Sequence, residues 1–336
     1  FHIEPTFEKW LLDLVAISTI TDCVELLGEN RMLVHFGLRV LHKNRRIGIA
    51  ALCAALGIDP VTITTETIGF KIGPHVNAAG RLKHANVAFE LFVTDDKKRA
   101  EELARDLMQT NLERQRIVKT MVAEARLQVA EQTNEPVMIV VGTDWPVGLV
   151  GLVAGNITGE TGKPTFALTM MNNEIVGSGR SIEQFSLVEA LQSMEELFLK
   201  YGGHPMACGF SLKDDAAREE FIVRMRARAH EKLADADLRP TLHIDAECSF
   251  GQIDVDVARQ LEMMAPFGQA NPEPLFVTKH ARIVKQTPMG KNGSHVRLML
   301  EEGGKTLEAV AFRIASRIAE LEEGKFCSLV YTIGLN

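Results

Sequence analysis

Lys200-Tyr201-Gly202-Gly203-His204-Pro205-Met206-Ala207-Cys208-Gly209-Phe210 holds the densest chemistry in the chain. Adjacent glycines let a backbone take conformations, and approach a ligand to distances, that a Cβ forbids. His204 follows at once, ahead of a run of small residues. A loop built this way can aim N–H groups at an oxyanion while the imidazole donates to a phosphate oxygen. The same string also suits a tight turn before a helix, with His204 satisfied in the core. On these residues alone both readings stand.

Outward from that window, residues 137–142 form a short apolar run of the kind buried in a sheet. Residues 149–157 read as a helix whose N-terminus can face an anion, and 165–170 and 174–180 as two further strands, which together make an α/β lobe. The third strand ends in Val176-Gly177-Ser178-Gly179-Arg180-Ser181. Glycines around a serine and an arginine make a phosphate-sized nest with a hydroxyl donor and a bidentate guanidinium; a plain strand end is the other reading.

Upstream, residues 97–132 contain neither Gly nor Pro, and Leu103, Leu107, Ile117, Met121, Ala125 and Val129 recur at helical spacing, predicting one long helix. Arg114, Arg116 and Lys119 suit either the lining of a nucleic-acid path or, more plainly, a solvated face. Residues 67–82 predict alternating apolar positions leading to a compact turn, Asn77-Ala78-Ala79-Gly80-Arg81, where Arg81 projects a planar fork suited to phosphate. Gly80 as a helix cap and Arg81 as a surface charge is the plainer account. Residues 31–41 and 48–56 are helix-like. In residues 11–27 an apolar helix face from Trp10 to Ile17 gives way to Ser18, Thr19, Thr21 and Asp22, which suits either simple capping or a metal-binding carboxylate.

The C-terminal part opens on a Pro/Gly-punctuated lead at 265–276. Strands are expected at 275–286, 294–301 and 305–312, then a helix at 313–323 and a last strand from Lys325. That order suggests an OB-type barrel, a common single-strand binder. Phe276, Phe312, Phe326 and Tyr331 are expected in its core, so binding there leans on backbone electrostatics.

With 336 residues the chain exceeds the usual single core, so two or three domains are expected. Hydrophobic residues at 46% and charged residues at 24% exclude long disorder. There is no apolar run of membrane-spanning length and no signal peptide at the start of the chain. Five scattered cysteines without a C-x-x-C pair indicate neither a zinc site nor disulfides, and a reducing cytoplasm is expected. The net charge of −7 argues against a polyanionic partner until its distribution is read. Between 279 and 317 eight Lys and Arg (279, 282, 285, 291, 297, 305, 313, 317) face three Glu, an excess of five positives. Such a patch attracts a phosphate backbone locally, or is a solvated face of mixed charge.

In order along the chain, these segments resemble the DHH/DHHA1 phosphoesterase superfamily, and within it the RecJ-type single-strand-specific exonucleases. The opening window resembles the DHHA1 Gly-Gly-His motif, which closes the active-site cleft. Residues 11–27 resemble the fourth DHH motif, which implies that Asp22, with Asp13 as an outside candidate, helps bind Mn2+ or Mg2+; Ser18 and Thr21 depart from the family's glycine and alanine. Asn-Ala-Ala-Gly-Arg resembles the RecJ string that lines the DNA passage, implying roles for Asn77 and Arg81. The Ser-x-Arg at Ser178 and Arg180 resembles the grip on the DNA 5′ phosphate. His204, with Gly202 and Gly203, is then implied to contact the phosphate nearer the scissile bond. Pro266-Phe267-Gly268 and Asn271-Pro272-Glu273-Pro274 resemble the lead into the family's OB domain.

The resemblance implies an α/β chain in four parts: the end of a DHH domain at 1–96, a connecting helix at 97–134, a DHHA1 lobe at 135–236 and an OB-type nucleic-acid-binding domain at 237–336. It implies a metal-dependent 5′-to-3′ exonuclease on single-stranded DNA in repair and recombination, its polarity resting on the family alone. The implied partners are single-stranded DNA with a 5′ end and a single-strand-binding protein or helicase. Phe1 in place of Met, and an end within a strand, suggest a fragment. The family's remaining metal ligands, including its Asp-His-His, lie before residue 1, so the chain alone is expected to be inactive. A phosphodiesterase of the same superfamily acting on oligonucleotides or dinucleotides, and a non-catalytic single-strand-binding relative, remain as alternatives.

Overall fold

A computed structural model describes residues 6–171, 174–239, 241–290 and 293–335. Lys291, one of the eight cations counted above, lies outside the described residues. Helices α1 (Leu12–Thr21), α2 (Gly28–Leu41) and α3 (Ile47–Leu56) form where the apolar runs predict them. A single turn, α4 (Thr65–Thr67), then continues through a π-helical stretch (Ile68–Ile72) into α5 (Gly73–Leu82). The alternating run and compact turn expected over 67–82 are therefore replaced by one helical path. The reason is spacing: Ile68, Ile72 and Ala79 lie on a buried face four and seven residues apart, which a helix satisfies and a strand does not. Pro74 cannot donate to the helical ladder, and the path takes its π-helical form immediately before it.

After α6 (Asn86–Val93) comes α7 (Lys97–Ala130), 34 residues long and so about 50 Å at 1.5 Å per residue. Its start is set by Asp96, whose carboxylate accepts from the N–H groups of Lys98 and Arg99 at 2.8 and 3.2 Å. Leu103, Leu107, Met121 and Ala125 are buried along it, and Ile117 and Val129 pack half-buried against the core that holds Met121 and Ala125.

The next segment builds a five-stranded sheet in the order β1-β2-β3-β5-β4. It comprises β1 (Met138–Thr143), α8 (Val147–Thr161), β2 (Thr165–Met171), β3 (Glu174–Arg180), α9 (Leu187–Gln192), β4 (Phe198–His204), β5 (Ala207–Leu212) and α10 (Asp215–Leu233). Only β1 and β2 are parallel, joined over α8; the others pair antiparallel. One face of the sheet packs a core of Phe166, Phe210 and Phe221 with α9 and α10, and the other packs Val140 and Ala167 against α7 and α8. The open edge of β1 is covered by side chains. Gln128 in the last turn of α7 and Gln132 just past its end each donate to and accept from β1 backbone, at Val141 and Ile139 respectively, between 2.8 and 3.1 Å. The two amides take the place of a sixth strand.

Beyond it lie β6 (Ala246–Glu247), α11 (Val255–Glu262), β7 (Phe276–Met289), β8 (His295–Glu302), β9 (Lys305–Ala311) and β10 (Phe326–Tyr331). The order is β10-β7-β8-β9, with β6 beside β7. The helix expected at 313–323 is a shorter 3-10 turn, Ala315–Glu320. Ala281, Ile283, Val296 and Leu300 fill the core with Phe250. Phe312 and Phe326 are not in it: they are 72% and 65% exposed. Pleating decides this, because Phe326 shares the outward phase of β10 and Phe312 continues the outward phase of β9. Phe276 and Tyr331 are half-buried.

Contacts divide the chain into two compact units, one of Phe1–Val40, Thr64–Glu66 and Thr241–Asn336, the other of Leu41–Ile63 and Thr67–Pro240. The first is discontinuous because its N-terminal helices are tied to the 264–271 segment. Leu26 N–H donates to the Gln269 carbonyl at 2.8 Å, and Arg31 donates to that of Met264 at 2.5 Å. Among the described residues no helix is long and apolar enough to cross a membrane.

Candidate functional site

Strand register assembles most of the site. Arg180 and His204 both lie opposite Ala207, Ser178 and Gly202 both opposite Gly209, and Val176 and Lys200 both opposite Ser211. Since side chains alternate across a strand, these residues share one face, while Ile175, Cys208, Phe210 and Leu212 point to the core on the other. The Gly-Gly-His window is thus neither a free loop nor a turn before a helix. It is the end of β4, closed by a hairpin at Pro205-Met206, because β5 supplies a full antiparallel partner. Gly203 needs its hydrogen: with φ of +146°, a Cβ there would come within 2.3 Å of the Ala207 carbonyl oxygen. His204 is exposed at the end of the edge strand, and its side chain makes no hydrogen bond among the described residues.

Ser178 donates from Oγ to the Cys208 carbonyl at 2.9 Å, and Arg180 donates to the Gly179 carbonyl at 2.7 Å and to Ser178 Oγ at 3.3 Å. The two lie against α8 at Gly151, where an added Cβ would be 3.0 Å from Ser178 Oγ and 3.2 Å from a terminal nitrogen of Arg180. Gly148, one turn earlier, admits the end of α5; a Cβ there would be 2.3 Å from the Arg81 carbonyl oxygen. The Arg81 guanidinium in turn donates to the Gly148 carbonyl at 3.2 Å. Asn77, exposed, lies one turn before Arg81 on α5.

Arg81 is held below the ordinary arginine range by burial and by the charge of Arg180, and Arg114 by burial and by Arg81. Among the described residues no carboxylate pairs with Arg81, Arg114 or Arg180. Three guanidiniums that repel one another without a counter-charge form a place for a polyanion. Of the two readings of Arg114, the solvated face does not hold: it is half-buried, and its Nε is enclosed without a hydrogen-bond partner. Arg116 and Lys119 are exposed as expected. Behind them, His75 Nδ1 donates to the Lys71 carbonyl at 2.6 Å, and Nε2 meets Asn111 Nδ2 at 3.0 Å. The carbonyl can only accept, so the proton sits on Nδ1 and Nε2 accepts from the amide. Burial above all, and the Arg114 charge, hold His75 below its usual value. His75, Lys200 and Ser211 escaped the sequence reading; for the last two the signal was their alternation with Gly202 and Gly209.

Asp22 belongs to the other compact unit, where it ends α1 as an exposed carboxylate. Asp13 is buried, and its carboxylate accepts from the Leu14 N–H at 2.7 Å. Among the described residues no three His, Cys, Asp or Glu side chains gather into a metal-sized group. A hard divalent ion takes about six oxygen ligands, so these residues do not by themselves fit a catalytic Mn2+ or Mg2+.

Two family models match the chain: the DHHA1 domain over 134–231 and the RecJ OB domain over 244–336. The single-stranded-DNA-specific exonuclease RecJ of Bacillus subtilis is 33% identical over 329 residues, covering 97% of this chain and 42% of that protein. The chain belongs to the RecJ family. The RecJ of Haemophilus influenzae is 32% identical over 351 residues, 99% of this chain and 60% of that protein. The crystal structure of Thermus thermophilus RecJ in complex with Mn2+ superimposes with a TM-score of 0.79 at 30% identity, over 91% of this chain and 44% of that one. The chain therefore spans about half the length of the RecJ relatives it matches. An α/β architecture with a long helix, a DHHA1 lobe and an OB domain is that of the family.

Proposed function

We propose that this chain is the strand-engaging part of a metal-dependent 5′-to-3′ exonuclease that hydrolyses single-stranded DNA. Ser178 and Arg180 hold the terminal 5′ phosphate, Arg81 and His204 steady phosphates toward the scissile bond, and Asn77, Gly202 and Gly203 line the strand's path. The observation that carries the reading is the set of guanidiniums at Arg81, Arg114 and Arg180, without an acidic partner among the described residues, beside the Ser178 hydroxyl. Solved relatives hold Mg2+ and Mn2+; of the residues here Asp22 answers the family's ligand motif, and no step is assigned to a metal on this chain. The four-part division at 96, 134 and 236, a cytoplasmic setting, and a single-strand-binding protein or helicase as partner belong to the same proposal. The two exposed phenylalanines of the OB domain, Phe312 and Phe326, add base-stacking surface to the local basic excess of its 279–317 stretch.

The test is fluorescence anisotropy with a single-stranded oligonucleotide bearing a 5′ phosphate, the same strand with a 5′ hydroxyl, and a duplex. The phosphorylated single strand is expected to bind tightest. Arg180→Ala removes a charge-assisted hydrogen bond, about 1.5–3 kcal/mol, and with it the preference for phosphate, roughly 10- to 100-fold. Equal binding of all three ligands by the wild-type chain sinks the assignment of Ser178 and Arg180.

A further inference from the structure

Next to the Ser178 hydroxyl, on the same face of the sheet, lies an open cleft of about 450 Å³. One wall is apolar, from Val147 and Val150 at the start of α8. The floor is backbone at Gly202 and Gly209, paired across β4 and β5. A Cβ added at Gly202 meets no atom within 4 Å, so that glycine opens the cleft where any side chain would project into it. Two polar groups converge there. Ser211 is 4% exposed, and its Oγ is enclosed without a hydrogen-bond partner. Lys200 lies opposite it on β4, exposed and without an ion-pair partner among the described residues. An unsatisfied buried hydroxyl in a cleft points to a group that completes it, and an apolar slot of a few hundred cubic ångströms with a small number of placed polar groups is the usual form of a small-molecule subsite.

We propose that this cleft seats the sugar and base of the 5′-terminal nucleotide, so that the end is recognised as a nucleotide and not as a phosphate alone. The proposal rests on the reading of Ser178 and Arg180 as the phosphate grip, which fixes where the terminal nucleoside begins. The flat ring lies over the glycine floor against Val147 and Val150, while Ser211 Oγ and Lys200 Nζ donate to acceptor atoms of the nucleoside. A lysine and a serine acting as donors, without a shape-matched set of acceptors around them, tolerate any of the four bases, in keeping with an enzyme that walks through all sequences.

Four single-stranded oligonucleotides test it by anisotropy: a 5′ end with or without phosphate, each carrying either a normal terminal nucleotide or an abasic tetrahydrofuran. The phosphate effect reads Ser178 and Arg180; the base effect reads the cleft. The wild-type chain is expected to bind the base-bearing ends about tenfold tighter than the abasic ends. Gly202→Leu, whose Cβ meets no atom within 4 Å and whose side chain fills the cleft, brings the base effect to within about twofold. Lys200→Met, at an exposed position where folding is not at stake, weakens it about threefold. A base effect without a phosphate effect upholds the cleft and sinks the end grip. No base effect in the wild-type chain, or one that survives Gly202→Leu, overturns the proposal.

Discussion

His75 shows how a single protonation state is written into the helix that carries Asn77 and Arg81. Its Nδ1–H is committed to the Lys71 carbonyl and its Nε2 to the Asn111 amide, with the Arg114 charge nearby and burial keeping the ring neutral. The folded form thus holds the ring below the ordinary value of 6.5. As pH falls the unfolded chain takes up that proton first, so the stability contributed at His75 is complete above about pH 6.5 and declines as pH drops through it. His75→Gln keeps a donor for Lys71 without a titrating ring. Urea midpoints measured from about pH 8 to pH 5 are expected to fall more steeply for the wild-type chain than for the variant; parallel curves would refute the role. Nothing in the sequence marked this histidine, because its partners come from a carbonyl four residues back and an amide 36 residues on.

At the scale of elements, the site depends on how closely α5 and α8 approach. Gly148 has the Arg81 carbonyl where its side chain would be, and the Arg81 guanidinium returns to the Gly148 carbonyl. Gly148→Ala must push one helix end away from the other, and overpacking of this kind costs about 1–3 kcal/mol. The denaturation midpoint is expected to fall accordingly, with weakened single-strand binding; an unchanged midpoint would mean the helices have slack that the distances deny. Element identity was legible in the sequence where one signal dominated. The long helix shows in its helical spacing unbroken by Gly or Pro, and the strands of the DHHA1 lobe in their short apolar runs. The run through 67–82 was misread because its small residues look like a turn until their buried partners are known. The same holds for Gly202-Gly203-His204, whose strand character is conferred by pairing with β5 and not by any β propensity of its own.

For the molecule as a whole, charge placement outweighs charge total. A chain of net charge −7 still presents three guanidiniums, at Arg81, Arg114 and Arg180, with no carboxylate partner among the described residues, and, separately, a local basic excess confined to residues 279–317, where Lys279, Arg282, Arg297 and Arg317 pair with Glu247, Glu301, Glu308 and Glu320. Binding of single strands is expected to weaken linearly in log salt, and Arg81→Ala to reduce the slope of that line by about 0.7–0.9 if the residue meets one phosphate. An unchanged slope would remove Arg81 from the strand's path. The lack of a metal-sized ligand group among the described residues leads to a further expectation. Supplied with Mn2+ or Mg2+, the chain binds a labelled single strand but releases no mononucleotide, as gel analysis of the strand would show; release would mean that ligands assemble in a way the described residues do not display.

The sequence by itself determined the parts and their order, because the motifs are local strings: Asn-Ala-Ala-Gly-Arg, Ser-x-Arg and Gly-Gly-His each lie within a few residues and keep their chemistry wherever the chain puts them. Tertiary structure alone decided which of them meet. Strand register set Ser178, Arg180, Lys200, Gly202, His204 and Ser211 on one face, and helix packing at Gly148 brought Arg81 to the same lobe. It also turned Phe312 and Phe326 outward. Those outcomes follow from pairing between segments far apart in the chain, and a one-residue slip of register would send each strand's side chains to the opposite face.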